Sequence, residues 1–110
     1  MGREIKETDW KIFREIRAKA LERFCERILS EVGRLAAITD QSSHQRYLAV
    51  YKLIKEQDGQ LADMFNNPRR SVALFQLAGM RFRDLLTEEE FACFSPETRS
   101  TVQLLIDLAD

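Results

Sequence analysis

His44 is the single histidine of the 110-residue chain, and Ser42 and Ser43 flank it. A histidine beside a hydroxyl is raw material for nucleophilic catalysis, in which the imidazole takes the proton as the oxygen attacks. That unit also needs an acid to orient the imidazole and donors for the developing oxyanion. No spacing in the chain supplies either, and His44 falls in a helix first turn, which is a wet structural position. Glu88, Glu89 and Glu90 form a carboxylate run that could hold a metal. They too occupy a helix first turn, where the dipole favours negative charge without any ligand. No ExxH pair occurs, so the ligands of a di-iron bundle are missing. Cys25 and Cys93 lie far apart with no CxxC-like spacing, which indicates neither a zinc site nor a redox pair. Both are expected as small buried hydrophobes in a reducing interior. Gly2, Gly33, Gly59 and Gly79 are scattered and build neither a phosphate loop nor a dinucleotide turn. The chain therefore predicts no catalytic set, no metal and no cofactor.

Two charged residues interrupt apolar faces. At about 100° per residue, Arg17 falls inside the stripe of Phe13, Ala20, Phe24 and Ile28. Asp58 falls inside that of Tyr51, Ile54, Leu61 and Phe65. An antiparallel hairpin brings them within a turn of each other, so a structural Arg17–Asp58 pair that fixes helix register is one expectation. In the other, Gly59 breaks the helix and frees Asp58 to reach water.

A third helical segment places Val72, Phe75, Ala78, Gly79, Phe82 and Leu86 on its expected core side. The remaining side carries Arg69, Arg70, Arg81 and Arg83 interleaved with Leu77 and Met80. Arginines mixed with exposed Leu and Met have the composition of a protein interface. Alternatively, Leu77 and Met80 are covered by the C-terminal helices and the arginines pair with Glu88, Glu89 or Glu90. The last helix is ambiguous in the same way. Val102, Leu105, Ile106 and Ala109 make one face and Leu104 and Leu108 another, so it is either well buried or docked on a partner.

The elements that must position these groups are helices. Trp10, Phe13, Ile16, Ala20, Phe24, Ile28 and Leu35 recur at steps of three or four, with charged residues opposite, so one amphipathic helix covers about 9–37. It would be roughly 40 Å long and must lie against other helices. Ser42 with Gln45 forms a capping box opening a second helix over 43–66, striped by Tyr47, Val50, Tyr51, Ile54, Leu61 and Phe65. Asn67-Pro68 opens a third over 68–85. Thr87 with Glu90 caps a short helix, and Ser95-Pro96 starts the last. Short connections favour antiparallel neighbours, and 3.6-residue spacing favours a bundle over a coiled coil. The expected fold is thus all-α, a compact bundle of about five helices. A long hairpin is packed by the third helix and closed by two short C-terminal ones, and residues 9–110 form one domain behind a flexible 1–8.

Apolar residues make up 45% and charged residues 32%, which suits one globular domain and argues against disorder. The 17 basic and 18 acidic residues give −1 overall, but residues 1–40 carry +1, 41–86 carry +3 and 87–110 carry −5. Such asymmetry can orient a partner or a second copy. No run of about 20 apolar residues spans a membrane and no export signal is read, so a cytoplasmic protein is expected. Together these features point to a non-enzymatic helical protein acting through protein–protein contacts: a small regulator, an adaptor or an assembly subunit. Its partner is another protein or a second copy of itself. Nucleic-acid binding through Arg69, Arg70, Arg81 and Arg83 is the alternative, disfavoured by the net charge and by a last helix offering only Arg99. A bundle interior around Trp10, Tyr47, Tyr51 and Asp58 that holds a small apolar ligand is the third reading.

Overall fold

The computed structural model describes residues 4–109. They form α1 (Glu7–Ala36), α2 (Ser43–Phe65), α3 (Arg70–Phe82), α4 (Glu88–Ala92) and α5 (Pro96–Ala109). The fold is an all-α bundle. α1 and α2 make a long antiparallel hairpin, α3 packs on both, and α5 packs on α3.

Both capping boxes form as the residue types require. Ser42 accepts from the Gln45 N–H at 3.0 Å while the Gln45 side chain accepts from Ser42 N–H at 2.9 Å. Thr87 and Glu90 make the same reciprocal pair at 3.0 and 2.9 Å. Ser95 caps α5, its hydroxyl accepting from Thr98 N–H at 3.3 Å ahead of Pro96.

Other boundaries shift. α1 begins at Glu7, and Ile5, expected within a flexible terminus, is buried in the core. Residues 1–3 of that terminus lie outside the described residues. α3 ends at Phe82, short of the expected Leu85. Asp84 takes φ 58°, Leu85 N–H bonds to Met80 C=O at 2.9 Å and Asp84 N–H to Arg81 C=O at 3.1 Å. These two bonds are a Schellman stop with Asp in the left-handed position where glycine is usual, so the sequence carries no glycine signal there. Arg27 braces the stop by donating to the carbonyls of Arg83 and Asp84, each at 2.6 Å.

The core is concentrated at one end of a molecule measuring 53 × 27 × 25 Å. Phe13, Ile16, Ala20 and Phe24 of α1 meet Met64 and Phe65 at the end of α2, Leu74, Leu77 and Met80 of α3, and Leu85, Phe94 and Val102 beyond. Gly79 lets α3 approach α2 closely, since a Cβ there would sit 3.1 Å from Met64 Cγ. Beyond this body the hairpin continues alone.

Candidate functional site

No residue from Cys25 to Asp63 is buried, although 25–36 and 43–63 are helical throughout. A helix is normally held by the apolar face it buries, because isolated helical segments of this length are marginal in water. Here the outer hairpin presents apolar side chains that none of the described residues covers. Leu29 is 68% exposed, Tyr47 65%, Tyr51 56%, Leu48 47% and Ile54 46%. Val32 and Ala36 of α1 line a groove of about 330 Å³ together with Tyr47 and Val50 of α2. Leu29 precedes Val32 by three residues and Ala36 by seven, so it continues that side of α1. Tyr51 and Ile54 follow Tyr47 by four and seven and continue that side of α2. The two helices thus share one open face. It lies opposite the side on which Phe24, Ile28, Leu53 and Gln57 approach Phe82 and Arg83 around a cavity of about 460 Å³.

This face corrects the reading of α2. Tyr47, Tyr51 and Ile54 do share a stripe with Asp58, but the stripe points outward, and the side toward the rest of the chain carries Leu53, Gln57, Gln60, Leu61 and Met64. α2 has two apolar sides, and periodicity alone does not choose between them. The Arg17–Asp58 pair is therefore absent. Helix α2 runs unbroken through Asp58 and Gly59, and Asp58 is exposed. Arg17 instead donates to the carbonyl of Phe65 and lies over its ring, 5.9 Å from the centroid. Gln76 donates to Asn66 C=O at 2.9 Å, so two buried or half-buried side chains satisfy the carbonyls that α2 leaves open at its C-terminus. The ligand cavity expected around Trp10, Tyr47, Tyr51 and Asp58 does not form. Trp10 stacks on Phe13 at 5.5 Å in the body, whereas the other three are exposed on the arm.

The expected interface on α3 is also rearranged. Leu77 and Met80 are 0% exposed and belong to the core, while Phe75 and Phe82, expected inside, are 66% and 59% exposed. Ala73, Leu74, Leu77 and Ala78 form the packed side, because small and aliphatic residues let α3 sit close to its neighbours where a phenylalanine would hold it off. Arg81 pairs with Glu88 at 2.7 Å and covers Phe91, 4.2 Å from its centroid. Arg70 pairs with Glu7 and lies over Trp10, and Arg83 donates to Gln60 at 3.1 Å. Arg69 alone of the four has no ion pair or hydrogen bond from its side chain among the described residues. Leu104 and Leu108 do stand on an exposed side of α5. Leu108, Phe75, Phe82 and Arg83 line a second apolar groove of about 600 Å³ between α3 and α5.

The groups with chemical potential are held in structural roles. Glu90 caps α4 and binds Arg23 through both oxygens at 2.6 and 2.9 Å, which holds its carboxyl down at about 2. His44 is exposed in the first turn of α2, Cys25 is half-buried, and Cys93 is exposed where a buried position is expected. Among the described residues no three His, Cys, Asp or Glu side chains gather closely enough to hold a metal ion. No helix among them is long and apolar enough to cross a membrane.

One polar site escapes sequence reasoning altogether. Asp9 is 2% exposed and accepts from Ser95 N–H at 2.9 Å, Ser95 Oγ at 2.6 Å and Thr98 Oγ1 at 2.7 Å. Burial pushes its carboxyl up, but the bonds from Ser95 and Thr98 outweigh burial and hold it below the ordinary range. This carboxylate ties the start of α1 to the start of α5 across 86 residues, a distance at which no local pattern exists. Comparison with protein families, curated proteins and solved structures finds no match to the chain.

Proposed function

We propose that this chain is a non-enzymatic helical interaction protein, a small regulator, adaptor or assembly subunit, that binds through the open arm of its α1–α2 hairpin. The observation that carries the reading is the contrast between order and burial in residues 25–63. Two helices run the length of the arm, yet none of its residues is buried and five large apolar side chains are about half exposed or more. Contiguous apolar faces of this kind mark surfaces that another protein covers. The α3–α5 groove with Phe75, Phe82 and Leu108 is a second surface of the same type. Nucleic acid fits less well, because Arg70 and Arg81 are neutralised within the chain and Arg83 is engaged by Gln60.

Affinity capture from native cell extract tests the reading, comparing the natural chain with a Tyr47→Lys/Ile54→Lys variant. Both positions are exposed, so the variant should keep its circular dichroism spectrum. It should lose either a captured protein or a self-associated state that the natural chain shows. Identical captured proteins and identical hydrodynamic size for the two chains would refute the reading.

A further inference from the structure

We propose that the occupant of the open arm is a second copy of the same chain, the two hairpins closing face to face into a four-helix bundle with α2 antiparallel to its mate. This rests on the reading of the arm as a binding surface and names what binds there.

Three observations favour a copy over a different protein. The first is area. At about 150–250 Å² for a full large side chain, the exposures of Leu29, Tyr47, Leu48, Tyr51 and Ile54 leave roughly 550 Å² uncovered on each chain. Two copies therefore bring about 1,100 Å² from five side chains apiece, before Val32, Ala36 and Val50 are added. A stable interface buries about 1,200–2,000 Å² in total, so these five side chains from each copy alone come close to its lower end.

The second is charge. Over residues 25–63, Arg27, Arg34, Arg46, Lys52 and Lys55 stand against Glu26, Glu31, Asp40, Glu56, Asp58 and Asp63, a balance of −1. A nearly neutral, mixed-sign surface meets its own copy with little net repulsion, which a surface of one sign does not.

The third is the order of residue types along α2. In an isologous contact each residue meets its mirror position about the two-fold axis. With the axis at Tyr51, Leu48 faces Ile54 of the other copy, apolar on apolar. Tyr47 faces Lys55, a ring opposite an ammonium group. His44 faces Asp58, an imidazole N–H opposite a carboxylate. The acid in the middle of an apolar stripe thereby gains a partner that none of the described residues of its own chain gives it. The hairpin register agrees. Arg46 reaches the carbonyl of Ala36 and Leu53 shares a cavity with Ile28, so Tyr51 stands within a turn of the level of Leu29. The same axis then brings Leu29 against its own copy on α1. Body helix α3 lies on the other side of the hairpin and leaves this face clear.

Sedimentation equilibrium of the full chain, from about 1 µM to about 500 µM, is the test. The natural chain should follow a monomer–dimer equilibrium. Tyr51→Glu sets two carboxylates against each other at the axis and should weaken dimerisation by about a hundredfold or more. Asp58→Lys should weaken it less, and His44→Glu combined with Asp58→Lys should recover most of that loss by restoring opposite charges across the contact. All these positions are exposed, and unchanged circular dichroism of the monomer confirms that each variant folds. A chain that stays monomeric throughout overturns self-pairing; the arm reading itself then stands or falls on whether capture of a different protein depends on Tyr47 and Ile54. A dimer indifferent to Tyr51→Glu also overturns the proposal, placing the contact on another surface. A charge-swapped variant no tighter than Asp58→Lys alone overturns the antiparallel register.

Discussion

Replacing Asp9 by alanine should be among the most damaging single changes available in this chain. The carboxylate accepts three hydrogen bonds between 2.6 and 2.9 Å, and it is 2% exposed. Hydrogen bonds to a charged group contribute about 1.5–3 kcal/mol each when measured singly, but groups sharing one acceptor are not additive. Removing the acceptor strands the Ser95 N–H and the Ser95 and Thr98 hydroxyls, and it leaves a cavity at the junction of α1 and α5. Each neutral donor left without an acceptor costs about 1–3 kcal/mol, so a loss of about 3–5 kcal/mol is expected for the three, against a total stability of about 5–15 kcal/mol. At about 4–8 °C per kcal/mol for a domain near this size, the Asp9→Ala midpoint should fall by about 10–20 °C or more in thermal unfolding followed by circular dichroism near neutral pH. Asp9→Asn keeps one acceptor oxygen and should cost less, about 1–2 kcal/mol.

Acid supplies a second handle on the same bonds. The folded-state carboxyl titrates below its ordinary value, so between the two values the unfolded chain binds more protons and stability rises with pH. The contribution of Asp9 is therefore complete above a pH of about 4 and is lost as pH falls through the folded value. The gap between natural chain and Asp9→Asn should be constant from neutrality down to about pH 4 and then narrow. A midpoint for Asp9→Ala within about 2 °C of the natural chain would refute the reasoning, because it would mean these bonds add nothing to folding.

Three further outcomes follow from the packing. Leu77→Ala should lower stability by about 2–5 kcal/mol in urea titration, while Phe75→Ala, which removes a larger but exposed side chain, should change it by no more than about 0.5 kcal/mol. The two effects would reverse if Phe75 faced the core. Gly59→Ala should stabilise by about 0.5–1 kcal/mol, since its position in α2 is helical and a Cβ there meets nothing within 4 Å; a loss of stability would show that α2 bends at that point. Glu90→Gln removes the carboxylate that Arg23 grips. With Glu90 held near 2 in the folded state, it should reduce the acid-induced stability loss between about pH 4.5 and 2 while leaving the share due to Asp9, which urea midpoints across that range would show.

The helices themselves were legible because their ends carry local chemistry. Ser42 with Gln45, Thr87 with Glu90 and Ser95 with Pro96 each signal a start within four residues, and each signal is realised. The end of α3 was not legible, because Asp84 does there what a glycine usually does. Which side of each helix faces inward was the larger failure, and it has one cause. On α2 and α3 apolar residues occupy more than half the circumference, so the 3.6-residue period is satisfied by two opposite assignments. On α3 close packing selected the small residues Ala73 and Ala78 with Leu74 and Leu77, leaving Phe75 and Phe82 outside. On α2 the inner side is mixed, with Gln57 and Gln60 beside Leu53, and looked less like a core than the tyrosine stripe did. A helix apolar on both sides can turn only one of them toward the core of its own chain, and here the inner side is the less apolar of the two. The ties made by Asp9, Arg17 and Arg23 span between 48 and 89 residues and are properties of the assembled bundle alone.

Hydrogen exchange reads the stability of residues 25–63 amide by amide. Amide exchange measured on the dilute natural chain should show Ala73–Met80 in the body protected close to the limit set by global unfolding. Residues 28–36 and 45–58 of the uncovered arm should open far more readily, and their protection should climb as concentration rises and the face is covered. Arm amides as slow as those of α3 at every concentration would contradict a partner-covered arm, since two helices that hold themselves without a buried face have no need of a partner.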